Sequence, residues 1–146
     1  MTISMTEKKD ALLAAMNALP GKDDKLKFII DKGKAMEAMP DKFKIDQFLV
    51  KGCISRAWLF PQLKGDKVTF FADSEAFIVK GIIALLLEIY NDSSPADILT
   101  EDGSFLLEAG VTQHLSTNRR NGLSNVLNMI QSYAAAFQKT NQETLS

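Results

Sequence analysis

The segment from residue 77 to about Tyr90 constrains the fold more than any other part of the chain. Its apolar residues recur at helical spacing and cover a wide face that includes Phe77, Ile78, Ile82, Leu85, Leu86 and Ile89. The apolar run at its centre, residues 81–87, is far shorter than the roughly 20 residues needed to cross a bilayer. We therefore expect a helix at the centre of a globular core, with the other elements packed around it.

Composition limits the classes of protein that remain. A chain of 146 residues most often forms one domain, so we expect a single domain over residues 1–146 with a frayed polar tail at about 139–146. The net charge of −1 favours neither nucleic acid nor an anionic membrane as a partner. Residues 1–10 lack the apolar stretch of a signal peptide, and a single cysteine fits a reducing compartment, which together predict a cytoplasmic location. One cysteine and one histidine cannot build a structural zinc site of the Cys/His type, and no metal is expected.

The segments before the central helix predict short helices and a small sheet. Residues 11–19 fit a first helix, and Asp23 or Asp24 can cap a second helix with core positions Leu26, Ile29, Ile30, Gly33 and Met36. Three short strands fit residues 48–50, 54–60 and 67–72, with a hairpin turn between the last two. We therefore predict an α+β fold in which a small antiparallel three-stranded sheet packs against several helices.

Helix signals continue through the second half of the chain. Asp73 and Ser74 can cap the central helix, and Ser94 followed by proline marks the start of a short helix. Residues 104–109 fit another short helix that ends at a glycine. Ser116 can cap the last helix, whose expected core positions are Leu123, Val126, Leu127, Ile130, Tyr133 and Ala134.

The only cysteine, Cys53, follows Gly52, which can place the thiol at the tip of a bend. Lys51 and Arg56 flank the thiol, and nearby cations favour the thiolate and lower the pKa of a cysteine. A free cysteine is also commonly a small buried hydrophobic residue. From this segment alone, the second interpretation is the simpler one.

Other polar residues have both a structural and a functional interpretation. His114 can pair with Cys53 as a thiolate–imidazole couple, although packing near the start of the last helix explains it more simply. Helix capping explains Asp73 and Ser74 without any function. Lys80 is either solvated or in contact with a partner.

Arg119 and Arg120 fall in the expected first turn of the last helix. Cations there oppose the helix dipole, typically by about 0.3–1 kcal/mol. Such a locally unfavourable choice indicates either a functional role or an ion pair with Asp73 or Glu75, and the sequence leaves both open.

Three segments occur in an order that resembles one protein family. Residues 52–58 follow the pattern G-C-x-S-x-x-W, residues 73–81 follow D-S-x-x-x-I-V-K-G, and residues 114–123 follow H-L-S-x-x-R-x-x-G-L. Together these patterns are highly specific and are similar to those of the SufE family of sulfur-acceptor proteins, which includes CsdE. The resemblance extends over about residues 26–133.

The resemblance implies a persulfide carrier. SufE-like proteins accept sulfane sulfur on their cysteine, here Cys53, from a PLP-dependent cysteine desulfurase of SufS or CsdA type, and pass it on to an iron–sulfur scaffold complex. The chain would then be an accessory protein that stimulates the desulfurase, not an enzyme, with PLP bound by its partner and no cofactor of its own. The implied fold is the α+β fold shared with IscU-type scaffolds. Residues implied to bind the partner or support the cysteine segment are Gly52, Ser55, Arg56, Trp58, Asp73, Ser74, Lys80, His114 and Arg119.

The chain departs from the family pattern at three positions: Phe48 replaces a residue that is often asparagine, Lys51 lies at a variable position, and Thr117 stands where proline often follows the helix cap. Two other function classes remain, a cysteine-dependent hydrolase that uses Cys53 and His114, and a non-catalytic adaptor domain. The hydrolase is weakened because the sequence has no oxyanion-hole motif or third triad member. The adaptor is weakened by the three matching segments.

A persulfide that is exposed to solvent is lost to any passing thiol, so a sulfur carrier needs a sheltered resting position. Val50, Ile54 and Trp58 bracket Cys53 in the sequence, and Phe48 adds another apolar side chain. We therefore expect the resting sulfur to lie in an apolar hollow. A partner would draw it out by binding the open state more tightly.

Overall fold

The computed structural model describes residues 4–51, 55–111 and 117–145, with the side chains of residues 117–119 and 141–145 outside the description. Its helices and strands, in chain order, are α1 (Met5–Asn17), α2 (Lys22–Ala35), β1 (Ala57–Lys64), β2 (Lys67–Ser74), α3 (Phe77–Tyr90), α4 (Pro95–Leu99), α5 (Phe105–Glu108) and α6 (Thr117–Leu145). Two 3-10 turns, Asp41–Phe43 and Asp46–Phe48, connect α2 to β1. Helices packed around a small antiparallel sheet confirm the predicted α+β class.

The helix predicted at the centre of the core is α3, and most of its length is buried. Every residue from Gly81 to Leu87 is buried, and so are Ile89 and Tyr90. The helix contacts α1, α2, α6 and β2. Phe77 was predicted to join this core, and that prediction is wrong: the side chain is 71% exposed, because it stands at the first helical position, ahead of the buried turns.

Two glycines allow α2 and α3 to approach each other closely. A Cβ atom at Gly81 would clash with the carbonyl oxygen of Ile29, and one at Gly33 would lie 2.8 Å from the Gly81 nitrogen. Real Cβ atoms do not approach other atoms so closely, so a side chain at either position would push the helices apart. The predicted core stripe of α2 is confirmed in part, because Ile29 and Gly33 are buried, whereas Leu26, Ile30 and Met36 are only partly buried.

β1 and β2 form an antiparallel hairpin whose register pairs Ala57 with Ser74. Gly65 turns the chain with a φ of 63°, a left-handed conformation that glycine adopts without strain. Side chains alternate between the two faces of a strand, and the buried face of β2 carries the predicted residues Val68, Phe70 and Ala72.

The predicted third strand is reduced to a single bridge. The sequence predicted a strand at residues 48–50, but Asp46–Phe48 is a 3-10 turn, so only Leu49 pairs with β1, in an isolated bridge to Trp58. Among the described residues the sheet therefore has two strands. The short turn prevents pairing because its residues are not extended.

Four phenylalanines cluster on the other face of the hairpin: Phe60 and Phe71 belong to its strands, and Phe43 and Phe48 pack against them. The ring of Phe43 stacks on that of Phe60 with centroids 3.8 Å apart, and Phe48 meets Phe60 edge-on at 4.8 Å. Phe71 is the cross-strand partner of Phe60, and its ring centroid lies 6.2 Å from that of Phe43. This aromatic cluster holds residues 41–48, which we call the covering segment, against the sheet.

Two early helices begin elsewhere than predicted. α1 begins before residue 11, since Ser4 caps it by accepting a hydrogen bond from a first-turn N–H at 3.1 Å. α2 follows Gly21, and the two aspartates expected as caps, Asp23 and Asp24, lie inside its first turn. Acidic side chains are favourable there because they interact with the positive end of the helix dipole.

The later helices follow the sequence signals more closely. Ser94 caps α4 by accepting the N–H of Asp97 at 3.2 Å, and Gly110 follows α5 with a φ of 78°. Ser116 lies outside the described residues. The predicted core of α6 is confirmed in part, because Val126, Ile130 and Ala134 are buried, whereas Leu123, Leu127 and Tyr133 are partly buried. α6 continues to Leu145, past the residue where fraying was predicted.

None of the helices described is long and apolar enough to cross a membrane.

A polar network around Glu101 joins α1, α3 and α6 to the connection between α4 and α5. The Tyr90 hydroxyl and the Gln131 Nε2 both donate to the Glu101 carbonyl oxygen, at 2.9 and 2.8 Å. The Glu101 carboxylate pairs with Lys9 Nζ at 2.5 Å. Burial raises the pKa of Tyr90, which keeps the hydroxyl a neutral donor. The network fixes the connection between α4 and α5 against α1, α3 and α6.

Gly81→Ala should lower the free energy of unfolding by about 1–3 kcal/mol, because the new methyl group overpacks the contact with Ile29. In an uncrowded helix the same change stabilises by about 0.5–1 kcal/mol, so the sign of the change tests the contact. Urea unfolding of the wild type and the variant measures this change in the free energy of unfolding. A raised midpoint for Gly81→Ala would contradict the close approach.

Candidate functional site

The residues on either side of the cysteine segment, which we define as residues 51–56, contact each other. The Val50 N–H donates to the Ala57 carbonyl oxygen at 2.8 Å, next to the bridge between Leu49 and Trp58. Val50 and Trp58 are buried, with 2% and 7% of their surface exposed. Outside the described residues lie Gly52, Cys53 and Ile54. The predicted role of the thiol and its sheltered position therefore stay predictions.

Arg56 and Glu75 form a two-point ion pair beside this closing contact. Arg56 Nε and Nη2 donate to the two carboxylate oxygens of Glu75 at 3.1 and 2.8 Å, and the Arg56 backbone N–H donates to one of them at 3.2 Å. The guanidinium also lies 5.4 Å from the centre of the Trp58 ring, within cation–π range. The hydrogen bond from Arg56 lowers the pKa of Glu75. Arg56 is thus paired with Glu75, and the carboxylate largely compensates its positive charge. A paired arginine favours a thiolate less than an unpaired one does.

The turn after β2 holds the backbone of Arg56. Ser74 Oγ donates to the Arg56 carbonyl oxygen at 3.2 Å, and the Glu75 N–H donates to the same oxygen at 3.0 Å. The sequence predicted Asp73 and Ser74 as caps of α3, and this was wrong. β2 extends through Ser74, and α3 starts later at Phe77 without a side-chain cap, because strand pairing with Ala57 occupies the end of β2.

Asp73 forms two ion pairs and accepts one backbone hydrogen bond at the end of β2. Its carboxylate lies 2.7 Å from Lys44 Nζ and 3.2 Å from Lys80 Nζ, and it accepts the Ser74 N–H at 2.8 Å. Burial alone would raise the pKa of Asp73, but the two lysines and the Ser74 N–H outweigh burial and lower it. Lys80, for which solvation and a partner contact were left open, is half-buried and paired within the chain. Lys44 belongs to the covering segment, so its ion pair ties that segment to the sheet.

The remaining predicted site residues are only partly described. Ser55 is half-buried at the end of the cysteine segment. His114 lies outside the described residues, and so does the side chain of Arg119, although its backbone belongs to the first turn of α6. The partners suggested for the arginines, Asp73 and Glu75, bind Lys44, Lys80 and Arg56.

Sequence reasoning missed Lys44 and the pairing of Glu75 with Arg56. Nineteen residues separate Glu75 from Arg56, and Lys44 is still farther from Asp73 in the chain. No periodic spacing signals a contact over such a distance. The one available hint was that Glu75 directly follows the Asp-Ser pair of the second family pattern.

These features define a small α+β domain that holds a single-cysteine segment at the open end of a β-hairpin. A model of the SufE family, described as an Fe-S metabolism associated domain, matches residues 10–134. The chain belongs to the SufE family, which confirms the resemblance found in its sequence.

Individual relatives agree with this assignment. An uncharacterised SufE-like protein of Synechocystis sp. is 36% identical over 106 residues, which cover 73% of this chain and 67% of that protein. The cysteine desulfuration protein SufE of Wigglesworthia glossinidia brevipalpis is 30% identical over 114 residues, which cover 77% and 79%. The solution structure of a hypothetical protein from Thermus thermophilus matches with a TM-score of 0.75 at 21% identity, covering 88% and 94% of the two chains. That structure supports the fold.

Asp73→Asn should reduce the loss of stability on acidification. Because the folded pKa of Asp73 lies below its ordinary value of 3.8, its carboxylate stabilises the fold above that pH. This contribution is lost as the pH falls through the folded pKa. Urea unfolding between about pH 6 and pH 2 should therefore show a larger decrease for the wild type than for the variant.

Asp41→Asn provides the matched control for Asp73→Asn. Asp41 contacts the same Lys44 at 3.3 Å but is 96% exposed, so it should leave the pH dependence as in the wild type. Parallel pH profiles for the wild type and Asp73→Asn would show that the Asp73 carboxylate makes no such contribution.

Proposed function

We propose that this chain accepts sulfane sulfur as a persulfide on Cys53 from a PLP-dependent cysteine desulfurase of SufS or CsdA type, stimulates that enzyme, and passes the sulfur on for iron–sulfur cluster assembly. The observation that carries the proposal is that the only cysteine of the chain lies inside a SufE family match. The family description and a relative named as a cysteine desulfuration protein support a role in iron–sulfur metabolism. In this proposal the chain is an accessory protein, and PLP belongs to its partner.

The proposed reaction is a thiol exchange. The Cys53 thiolate attacks the terminal sulfur of the persulfide on the desulfurase cysteine. A new S–S bond forms to Cys53, the S–S bond to the donor breaks, and the donor cysteine leaves as a thiolate. No external oxidant or reductant takes part. Since the chain has no second cysteine, no thiol of its own can attack the product.

The contacts at both ends of the cysteine segment support a short tethered carrier. The hydrogen bond from Val50 to Ala57 closes a connection of residues 51–56. An extended chain spans about 3.3–3.6 Å per residue, so a thiol three residues after Val50 can reach only about 10 Å beyond it. The Arg56–Glu75 pair holds the other end. Such a tether suits sulfur delivery over a short path into a partner.

The remaining family-pattern residues have supporting roles in this proposal. Asp73, with Lys80, holds the end of β2, and Ser74 holds the Arg56 carbonyl. Arg119 and His114 are proposed to serve the partner interface or the cysteine site.

Incubation with a cysteine desulfurase and L-cysteine should add sulfur to Cys53. Intact-mass analysis should show a persulfide on the wild type and none on Cys53→Ser, because that variant has no thiol. Desulfurase turnover should rise with the wild type only. Equal stimulation by both proteins would contradict the carrier function and favour an adaptor.

Iodoacetamide should alkylate Cys53 more slowly in the folded protein than in urea, because burial disfavours the reactive thiolate. Cys53 is the only thiol, so the alkylated mass reports this site alone. A desulfurase whose own active cysteine is replaced should accelerate the reaction once bound. Equal rates for the folded and the unfolded protein would exclude a sheltered resting position.

A further inference from the structure

A groove runs between α6 and the residues that lead into the cysteine segment. Its volume is about 450 Å³, within the range of about 300–1,000 Å³ typical of ligand pockets. We call it the amide groove, and its lining residues are Gln47, Leu49 and Lys51 on one wall and Asn125, Asn128, Met129 and Ser132 on α6.

The lining has a regular geometry. The α6 residues follow helical spacing, so they form one stripe about 10 Å long from Asn125 to Ser132. The residues of the opposite wall are spaced by two. An extended peptide rises about 3.3 Å per residue, so the stripe matches about three residues of extended chain.

The polar side chains of the groove are available to a ligand. Within the described structure, the amides of Gln47, Asn125 and Asn128 and the hydroxyl of Ser132 make no hydrogen bond. A side-chain amide both donates and accepts, which complements the alternating N–H and C=O groups of a peptide backbone.

Other ligand classes fit the groove less well. A phosphate-bearing ligand would require several cations, and the lining offers one, Lys51. The exposed surface of the groove is mostly carbon, yet five of its seven lining side chains carry a polar group. This mixture suits a peptide, which presents both apolar and hydrogen-bonding groups, better than a lipid tail. The lining therefore favours an extended peptide with an acidic side chain near Lys51.

We propose that the amide groove binds an extended peptide segment of the protein that receives sulfur from Cys53. This inference rests on the proposed function of Cys53. Lys51 lies two residues before the cysteine and pairs with an acidic residue of the bound segment, which brings the recipient thiol close to the persulfide. The recipient thiolate attacks the terminal sulfur, an S–S bond forms to the recipient, and Cys53 leaves as a thiolate.

The test uses a persulfide installed on Cys53 with inorganic polysulfide, so that no desulfurase takes part. The probes are the capped peptide acetyl-Cys-Gly-Glu-Gly-amide and, for comparison, 2-mercaptoethanol at the same thiolate concentration. Intact mass follows the loss of sulfur. The peptide should unload the wild type roughly tenfold faster, the effect of one or two net hydrogen bonds. Equal rates would overturn the proposal.

Variants locate this advantage in the groove. Asn128→Arg should abolish the advantage of the peptide while leaving the rate with 2-mercaptoethanol unchanged, because it fills the groove. Asn17→Arg, at an exposed asparagine of α1, is the matched control and should retain the advantage. Lys51→Glu should slow the removal of sulfur by the glutamate peptide. It should accelerate removal by a peptide that carries lysine instead of that glutamate. An advantage that persists in Asn128→Arg would refute the assignment.

Two further measurements separate this inference from the proposed function. The methyl resonance of Met129 should shift on titration with a peptide that carries serine instead of cysteine, while buried Met16 should not. Loading of Asn128→Arg by a desulfurase should proceed at the wild-type rate. If loading slows and peptide unloading does not, the groove serves the desulfurase and the inference is wrong. If the wild type is never loaded by a desulfurase, the proposed function fails, whereas the polysulfide experiment still decides whether the groove binds peptides.

Discussion

The position of Arg56 and Ala57, which follow the cysteine, depends on the contact between Gly81 and the backbone of Ile29. This contact seats α3 at the centre of the core, where it meets helices on several sides and the hairpin. α3 is joined to β2 by a turn of only two residues, so the location of the helix sets the location of that turn. Ser74, at the end of β2, and Glu75, in the turn, both donate to the Arg56 carbonyl oxygen. A larger residue at position 81 would therefore disturb the end of the cysteine segment as well as the core.

The two faces of the hairpin have different tasks. One face, with Val68, Phe70 and Ala72, belongs to the core. The other face binds the covering segment through stacked phenylalanines and through the ion pair between Lys44 and Asp73. These contacts bring the chain to Val50 at the point where its N–H meets the Ala57 carbonyl. Phe48 belongs to this arrangement and packs on Phe60.

The ion pair between Arg56 and Glu75 orients the Arg56 side chain more than it stabilises the fold. The Arg56–Glu75 pair is largely exposed, and exposed pairs typically contribute about 0–1 kcal/mol. Its two-point geometry, however, restricts the orientation of Arg56 next to the cysteine segment. Lys51 differs from Arg56, because it has no ion pair in the part of the chain that the structure describes and lines the amide groove. The two cations that flank the cysteine in sequence therefore have different environments: Arg56 is held by Glu75, whereas Lys51 is exposed.

The sequence by itself determined the elements whose signals are local. Helical spacing placed α3, the Ser94–Pro95 start placed α4, and strand alternation placed Val68, Phe70 and Ala72 in the core. The three ordered patterns around Gly52, Asp73 and His114 indicated the family.

The tertiary structure decided what depends on residues far apart in the chain. It replaced the third strand by one bridge, ended β2 at Ser74, left Phe77 exposed and paired Asp73 with Lys44. Local periodicity records which face of an element is apolar, but it contains no information on which distant side chain will meet that face. Ion pairs, close helix crossings and the amide groove arise only when separate elements pack together, because their partners are brought into contact by the fold and not by spacing along the chain.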